Sequence, residues 1–433
     1  MTWSTLHLYR RLSRWDRLFL LILCASLALR LAFIDVPPLT THCEPANCAG
    51  PWDLGLIFDE VYFINAARNI IGRPMAFGYT NSVTNLTDVY QKFTDPYPGH
   101  PPLAKLIVAF SALMLGENAL AYRLPSAVFG TLLLLFLYLT VKRLASDQVA
   151  FYAATILSFD TLTLIHSRIF MLDIFMVSFM VLGFYLFLRG RYVVAGMAIG
   201  LSALSKEMGV IGIAIVITFL VLERASSHTL MTRESAMQAA KILLGFAVPV
   251  VLLAGLMTIW WNTTPWQDLA RLGLYKVDHY NLDGSYVDVG SDIPRSGIIC
   301  PPWLWILNRN VIEYYSGTVG GLVLNYVGEM NPMLIYLMLP GVAYSAWSYW
   351  RTRSRLDLFA LVWWVGTYVT MYPIAFAGRS MYLFYMLPTM GAVSIMVASM
   401  MYHRSINSYV RGLYLFCLFV IMVLQFPVKL LPF

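Results

Sequence analysis

Asp59 and Glu60 stand side by side, upstream of the run His100-Pro101-Pro102-Leu103-Ala104-Lys105. A carboxylate at such a place can take a proton from an attacking hydroxyl. Neighbours on a helix project about 100° apart, so the pair does not suit joint work on one bond. One member can face a substrate while the other orients it or binds a cation. The plainer alternative is acidic charge at a helix start, complementing the dipole. Other ionisable groups recur along the chain. Arg168 and Asp173 flank Ile169-Phe170-Met171-Leu172, Lys206 adjoins Glu207, His279 lies in Lys276-Val277-Asp278-His279-Tyr280, and Arg379 opens a stretch reaching Tyr385. Each alone is more often a helix cap or a snorkelling side chain. Gathered around one carboxylate, Arg and Lys suit an anionic leaving group such as phosphate.

The elements that must position these groups are membrane spans. Of 433 residues, 59% are hydrophobic and 12% charged, against about a quarter charged in soluble domains. Aromatics reach 15%, and Trp and Tyr favour membrane interfaces. The net charge of +7 falls in short clusters between apolar runs, which reads as topology anchoring and not as a nucleic-acid surface. With about 20 apolar residues per crossing, eleven spans are expected: 18–35, 121–141, 149–166, 171–188, 192–205, 208–222, 241–261, 332–350, 357–377, 381–401 and 411–428. Basic clusters at Arg10 to Arg17, Lys142/Arg143, Arg189/Arg191, Arg224 to Lys241, Arg351 to Arg355 and Arg404/Arg411 then all lie in the cytoplasm, as the positive-inside rule requires. The first span, 18–35, reads as uncleaved. The stretch 192–222 is expected to break at Ser205-Lys206-Glu207 below the outer surface, because one long helix would place both charges in lipid. Non-helical backbone at that depth implies a cavity.

This map puts Asp59 and its companions at the extracytoplasmic face. It leaves two large external segments, 36–120 and 262–331, neither long enough for an independent core. Residues 59–71 and 103–115 carry apolar groups at helical spacing, closed by Gly72 and Gly116. Both are expected to be amphipathic helices on the membrane surface. Cys43 and Cys48 are candidates for a disulfide, or with His42 for a metal site; Cys24 and Cys417 read as packing residues. Asn85 and Asn262 begin glycosylation sequons. No internal repeat is visible, which argues against a secondary transporter.

The residues now named resemble the protein O-mannosyltransferase family. The resemblance is carried by Phe58-Asp59-Glu60-Val61-Tyr62, His100 to Lys105, Ser167-Arg168-Ile169 with Leu172-Asp173, Ser205-Lys206, His279 followed by Pro302-Trp303-Leu304-Trp305, and Arg379 through Pro388. The large soluble insertion of the eukaryotic enzymes is missing, and Tyr385 stands where their late motif is richer in His, so the likeness is to prokaryotic members. It implies an all-α polytopic membrane protein of the GT-C-type glycosyltransferase fold, one domain over 1–433. It implies a polyprenyl- or dolichyl-phosphate sugar donor, with mannose as the sugar, and an inverting transfer to a hydroxyl. The acceptor stays open between Ser/Thr of a protein and a lipid or glycan, as in aminoarabinose transferases. Under this resemblance Asp59 and Glu60 are catalytic, with Asp59 the base. Arg168, Lys206, Arg379 and Lys105 bind the donor phosphate, and His100, Asp173, Glu207, His279 and Tyr385 bind or orient substrate. A divalent metal at Asp59 is an open option; no other cofactor is implied.

Overall fold

A computed structural model describes residues 12–39, 54–73, 93, 95, 99–226, 232–261, 277–288 and 298–430. Cys43, Cys48, His42, Asn85 and Asn262 lie outside the described residues. Helix α1 spans Arg14–Leu31, opened by a Ser13 capping box. The first external segment contributes α2 (Glu60–Ile70) and α3 (Leu103–Leu115), the latter entered through Pro102 and stopped at Gly116. Then come α4 (Ala119–Leu144), α5 (Asp147–Ser158), α6 (Thr161–His166), α7 (Leu172–Leu188), α8 (Tyr192–Ser205), α9 (Ile211–Ser226) and α10 (Arg233–Trp261). Later long helices cover Met338–Thr352, Arg355–Trp364, Leu387–Met401 and Ser408–Leu424.

Every expected span coincides with a helix or with consecutive helical pieces. Among the described residues five helical stretches are long and apolar enough to cross a membrane by themselves, including Ala119–Leu144 and Arg233–Trp261, and shorter apolar helices include Leu172–Leu188 and Ser408–Leu424. The protein is a multi-pass membrane protein. The span expected at 149–166 divides at Asp160, whose carboxylate accepts from the Thr163 amide and hydroxyl, at 2.9 and 2.6 Å, and caps α6. The break at Lys206 is also present. Lys206 is extended (φ −156, ψ 137), and a short 3-10 turn, Glu207–Val210, leads into α9. The core runs through α4, α5, α7, α8 and the helix Leu387–Met401, with α8 also lying against α10.

One expectation for the first external segment is corrected. Helix α2 does not lie on a surface: Val61, Phe63, Ile64, Ala66 and Ala67 are buried, and so are its polar members Asn65, Arg68 and Asn69. Its amphipathic pattern reflects packing on one side and buried polar contacts on the other. Helix α3 does present Phe110, Leu113 and Met114 outward, as an interfacial helix would. The helical frame also carries two small sheets. The second external segment forms a hairpin of β1 (Val277–Tyr280) and β2 (Tyr286–Asp288), and a sheet in which β4 (Leu322–Gly328) pairs with both β3 (Ile312–Val319) and β5 (Val428–Leu430). The last helix therefore ends at Leu424, short of the expected 428, and the chain returns to the sheet.

Candidate active site

One end of the helix bundle gathers the chemistry. Arg123 sits in the second turn of α4, and Lys142 near its other end. Nineteen residues at about 1.5 Å each separate them by about 28 Å, close to the hydrocarbon thickness of a bilayer. Lys142 pairs at its end with Asp16 and Asp147. At the Arg123 end lie the start of α2, the start of α7, the α8–α9 break, β3 and the turn Leu383–Met386.

Glu60 belongs to the scaffold and does not face the site. Its Oε1 accepts from Arg123 Nε and the Phe170 amide, both at 2.9 Å; its Oε2 accepts from Arg123 Nη2 at 2.8 Å and the Ile57 amide at 2.9 Å. Both side chains are fully buried. Arg123 spends its remaining donors on the carbonyls of Ile34, Pro37 and Gly55. A buried ion pair is tolerable when every lone pair and proton finds a partner in this way. The pair staples the first external segment to α4 and to the turn before α7. Gly55 has to be glycine: at φ +72 its Cβ would stand 2.2 Å from the Pro38 carbonyl oxygen.

Asp59, one residue earlier, turns the other way. It occupies the N-cap position of α2 at φ −72, ψ 0, yet its side chain makes no capping hydrogen bond. The carboxylate is not spent on the helix start. The preceding residue, Phe58, is held at φ +54, a left-handed conformation costing on the order of 1–3 kcal/mol for a non-glycine residue. Its ring stacks on Tyr314 at 4.3 Å and meets Phe384 edge-on at 5.8 Å. Asp59 is half-buried. Burial pushes its carboxyl up to about 7; the Lys206 ammonium opposes this and the Asp173 carboxylate adds to it.

Lys206 Nζ donates to Asp173 Oδ1 at 2.7 Å, and both side chains are buried. The ammonium also lies 5.3 Å from the Phe384 ring centre and 5.2 Å from that of Tyr385, within cation–π range. His100 Nδ1 and Glu207 Oε2 are 2.8 Å apart, tying the His-Pro-Pro run to the α8–α9 break. Lys105 donates to the His100 carbonyl at 2.9 Å and pairs with Asp95. Arg379 is half-buried, and its charge reaches the hydroxyls of Tyr280 and Tyr385.

The structure thus brings together Asp59, Asp173, Lys206, Glu207, His100, Lys105, Tyr385 and Arg379. It does not bring in Arg168. That guanidinium is buried and donates to the carbonyls of Leu29, Arg30 (3.2 Å) and Ala32 (2.6 Å), with Phe426 beneath it at 4.8 Å. It satisfies the C-terminal carbonyls of α1, which have no intrahelical partners, and so is not a phosphate ligand. His279 is exposed on β1 and pairs with Asp278. Sequence reasoning missed three residues. Arg123 had no local signal, since its partner Glu60 is 63 positions away. His166, an imidazole in an apolar helix end just before Ser167-Arg168, was the most findable. Tyr314 had only its place in the second external segment. Among the described residues no group of three or more His, Cys, Asp or Glu could hold a metal ion, and no step below is routed through one.

The architecture is shared with known proteins. The structure superposes on the S. cerevisiae protein O-mannosyltransferase Pmt1-Pmt2 complex bound to the sugar donor with a TM-score of 0.64 at 11% identity, over 96% of this chain and 89% of that one. It superposes on ArnT from Cupriavidus metallidurans bound to undecaprenyl phosphate with a TM-score of 0.57 at 15% identity, covering 92% of this chain and 62% of ArnT. The chain therefore spans less than two thirds of the ArnT length. These likenesses define the fold, which is of the GT-C type. In sequence, the family described as dolichyl-phosphate-mannose-protein mannosyltransferase matches residues 99–253. A polyprenol-phosphate-mannose–protein mannosyltransferase of Corynebacterium glutamicum is 24% identical over 413 residues, covering 79% of this chain and 76% of that protein. In sequence the chain is thus similar to the protein O-mannosyltransferases, as its motifs suggested.

Proposed function

We propose that this protein transfers mannose from a polyprenyl-phosphate donor to a hydroxyl of a protein Ser or Thr, at the extracytoplasmic face of the membrane. The observation that carries the reading is Asp59. It is a half-buried carboxylate with no capping bond, and its carboxyl is pushed up to about 7. A base is most effective with its pKa near the working pH. The donor likeness comes from the Corynebacterium relative and from the yeast complex with its sugar donor.

In this mechanism the acceptor oxygen attacks the anomeric carbon from the face opposite the phosphate. As the new C–O bond forms, the bond from that carbon to the phosphate oxygen breaks, and the configuration inverts. The acceptor proton goes to Asp59. Polyprenyl phosphate leaves with its electron pair and needs no acid, only cationic stabilisation of the growing charge. Arg379 and Lys206 supply it. Lys206 is held in place by Asp173, and Tyr385 lines the same wall. Glu60 acts through position alone.

The test is a transfer assay with purified protein, undecaprenyl-phosphate mannose and a Ser/Thr-rich peptide, read by mass spectrometry. Mannosylated peptide with inverted anomeric configuration is expected. Turnover on lipid or glycan acceptors without any on peptide would move the chain to the aminoarabinose-transferase-like reading. No turnover on any acceptor would reject the donor.

A further inference from the structure

The buried pair Tyr314 and His166 has no part in the chemistry above, yet it stands directly behind the base. His166 Nε2 and Tyr314 Oη are 2.9 Å apart, and both residues are almost fully buried. They come from positions 148 residues apart, one at the end of α6 and the other in β3. The Tyr314 ring is stacked on Phe58 at an interplanar angle of 19°. Phe58 is the left-handed residue that immediately precedes Asp59. A strained backbone of this kind persists only when its surroundings over-determine it. Here the surroundings are the Tyr314 face on one side and the Phe384 edge on the other. Gly328 on β4 leaves the room that the tyrosine's hydroxyl occupies. A Cβ at Gly328 would stand 2.3 Å from Tyr314 Oη, although that glycine has an ordinary backbone conformation.

We propose that Tyr314, pinned by His166, is a positioning residue for the reaction: through the Phe58 ring it fixes the direction of Asp59 and keeps water from its rear face. The inference rests on the reading of Asp59 as the base. Its chemistry is mechanical and electrostatic, with no covalent step. The Tyr314 hydroxyl stays protonated, first because it is buried and then because the charges of Asp173 and Asp59 oppose its ionisation. It therefore remains a neutral hydrogen-bonding partner for His166 throughout turnover. The second external segment, which carries β3, becomes part of the active-site frame and not a cover over it.

The experiment compares Tyr314→Ala, Tyr314→Phe, Phe58→Leu and Asp59→Asn in the undecaprenyl-phosphate mannose and peptide assay, on protein that elutes as a single species in detergent. Misplacing a reacting group by about 1 Å can lower the rate about 100-fold. Tyr314→Ala and Phe58→Leu are each expected to lower kcat between about 10- and 100-fold with donor KM unchanged. Their acidic limb in the pH–rate profile should move to lower pH, because water now reaches Asp59. Tyr314→Phe keeps the stacked ring but loses the His166 hydrogen bond, and should lie between wild type and Tyr314→Ala in both kcat and the acidic limb. A Tyr314→Ala enzyme with unaltered kcat, or with reduced kcat and an unmoved acidic limb, overturns the proposal. So does a Tyr314→Phe enzyme as impaired as Tyr314→Ala. If Asp59→Asn is inactive while Tyr314→Ala and Phe58→Leu turn over normally, the base stands and the prop fails. If Asp59→Asn remains active, both fall together.

Discussion

Lys206 Nζ reaches Asp173 Oδ1 across 2.7 Å in a buried setting, and this pair lies in the electrostatic field of Asp59. The lysine expected to serve the donor phosphate is therefore already half-neutralised. Asp173 takes the lysine's hydrogen bond, so the ammonium only partly offsets the burial that holds the Asp59 carboxyl up near 7. Arg379, half-buried and acting on the Tyr385 hydroxyl, is the further positive charge nearby.

The Asp59 carboxyl near 7 makes a pH prediction. A base works when deprotonated, so kcat/KM should climb as pH rises through about 7. Asp173→Asn removes a neighbouring negative charge and releases Lys206 to act on Asp59. Its acidic limb should then shift to lower pH. Measuring kcat/KM from pH 5 to 9 for both proteins decides the matter; coincident limbs would remove Asp173 from the electrostatics of the base.

Asp59→Asn should cut turnover by about 100- to 10,000-fold, the usual worth of a general base, while stabilising the fold at high pH. The sign follows from the raised carboxyl. Between the ordinary carboxylate range and about 7 the folded state binds more protons than the unfolded one, so stability falls as pH rises through that window. Above it the wild type carries the full penalty, on the order of 1–2 kcal/mol after solvent is allowed for. Thermal unfolding in detergent at pH 8 should show a higher Tm for Asp59→Asn, with the gap closing near pH 4.

Glu60 and Arg123 should behave as structure. Removing one partner strands a buried charge, at a cost of about 3–5 kcal/mol. Glu60→Gln and Arg123→Met should each lower Tm strongly, in contrast to Asp59→Asn. The Glu60→Gln/Arg123→Met double variant should recover part of the loss, because no charge is stranded in it. Additive losses in the double-mutant cycle would show that the two side chains do not depend on each other.

Arg168 and Arg379 should separate. Arg168→Ala leaves the end carbonyls of α1 without donors and should lower Tm, at about 1–3 kcal/mol for each buried group left unsatisfied. Arg379→Ala should raise donor KM. Titration with undecaprenyl phosphate, read by tryptophan fluorescence, checks the assignment. Unchanged lipid affinity in Arg379→Ala would take that arginine out of the donor site.

The sequence by itself determined what local periodicity and hydropathy can carry. It located the spans, the break at Lys206 and the entry into α3 at Pro102. These depend on helical spacing, on the cost of charge in lipid and on proline and glycine chemistry, all properties of neighbouring residues. The partners of the buried charges were decided only in three dimensions. Glu60 finds Arg123 63 residues on, Lys206 finds Asp173 33 residues back, and His166 finds Tyr314 148 residues on. Arg168 likewise looked like a phosphate ligand until α1 brought its unpaired carbonyls beside it. Local pattern gives the depth at which a charge lies along its own helix. Which helix ends and strands meet at that depth is set by packing, and only packing decides whether a cation faces substrate or is already spent on the fold.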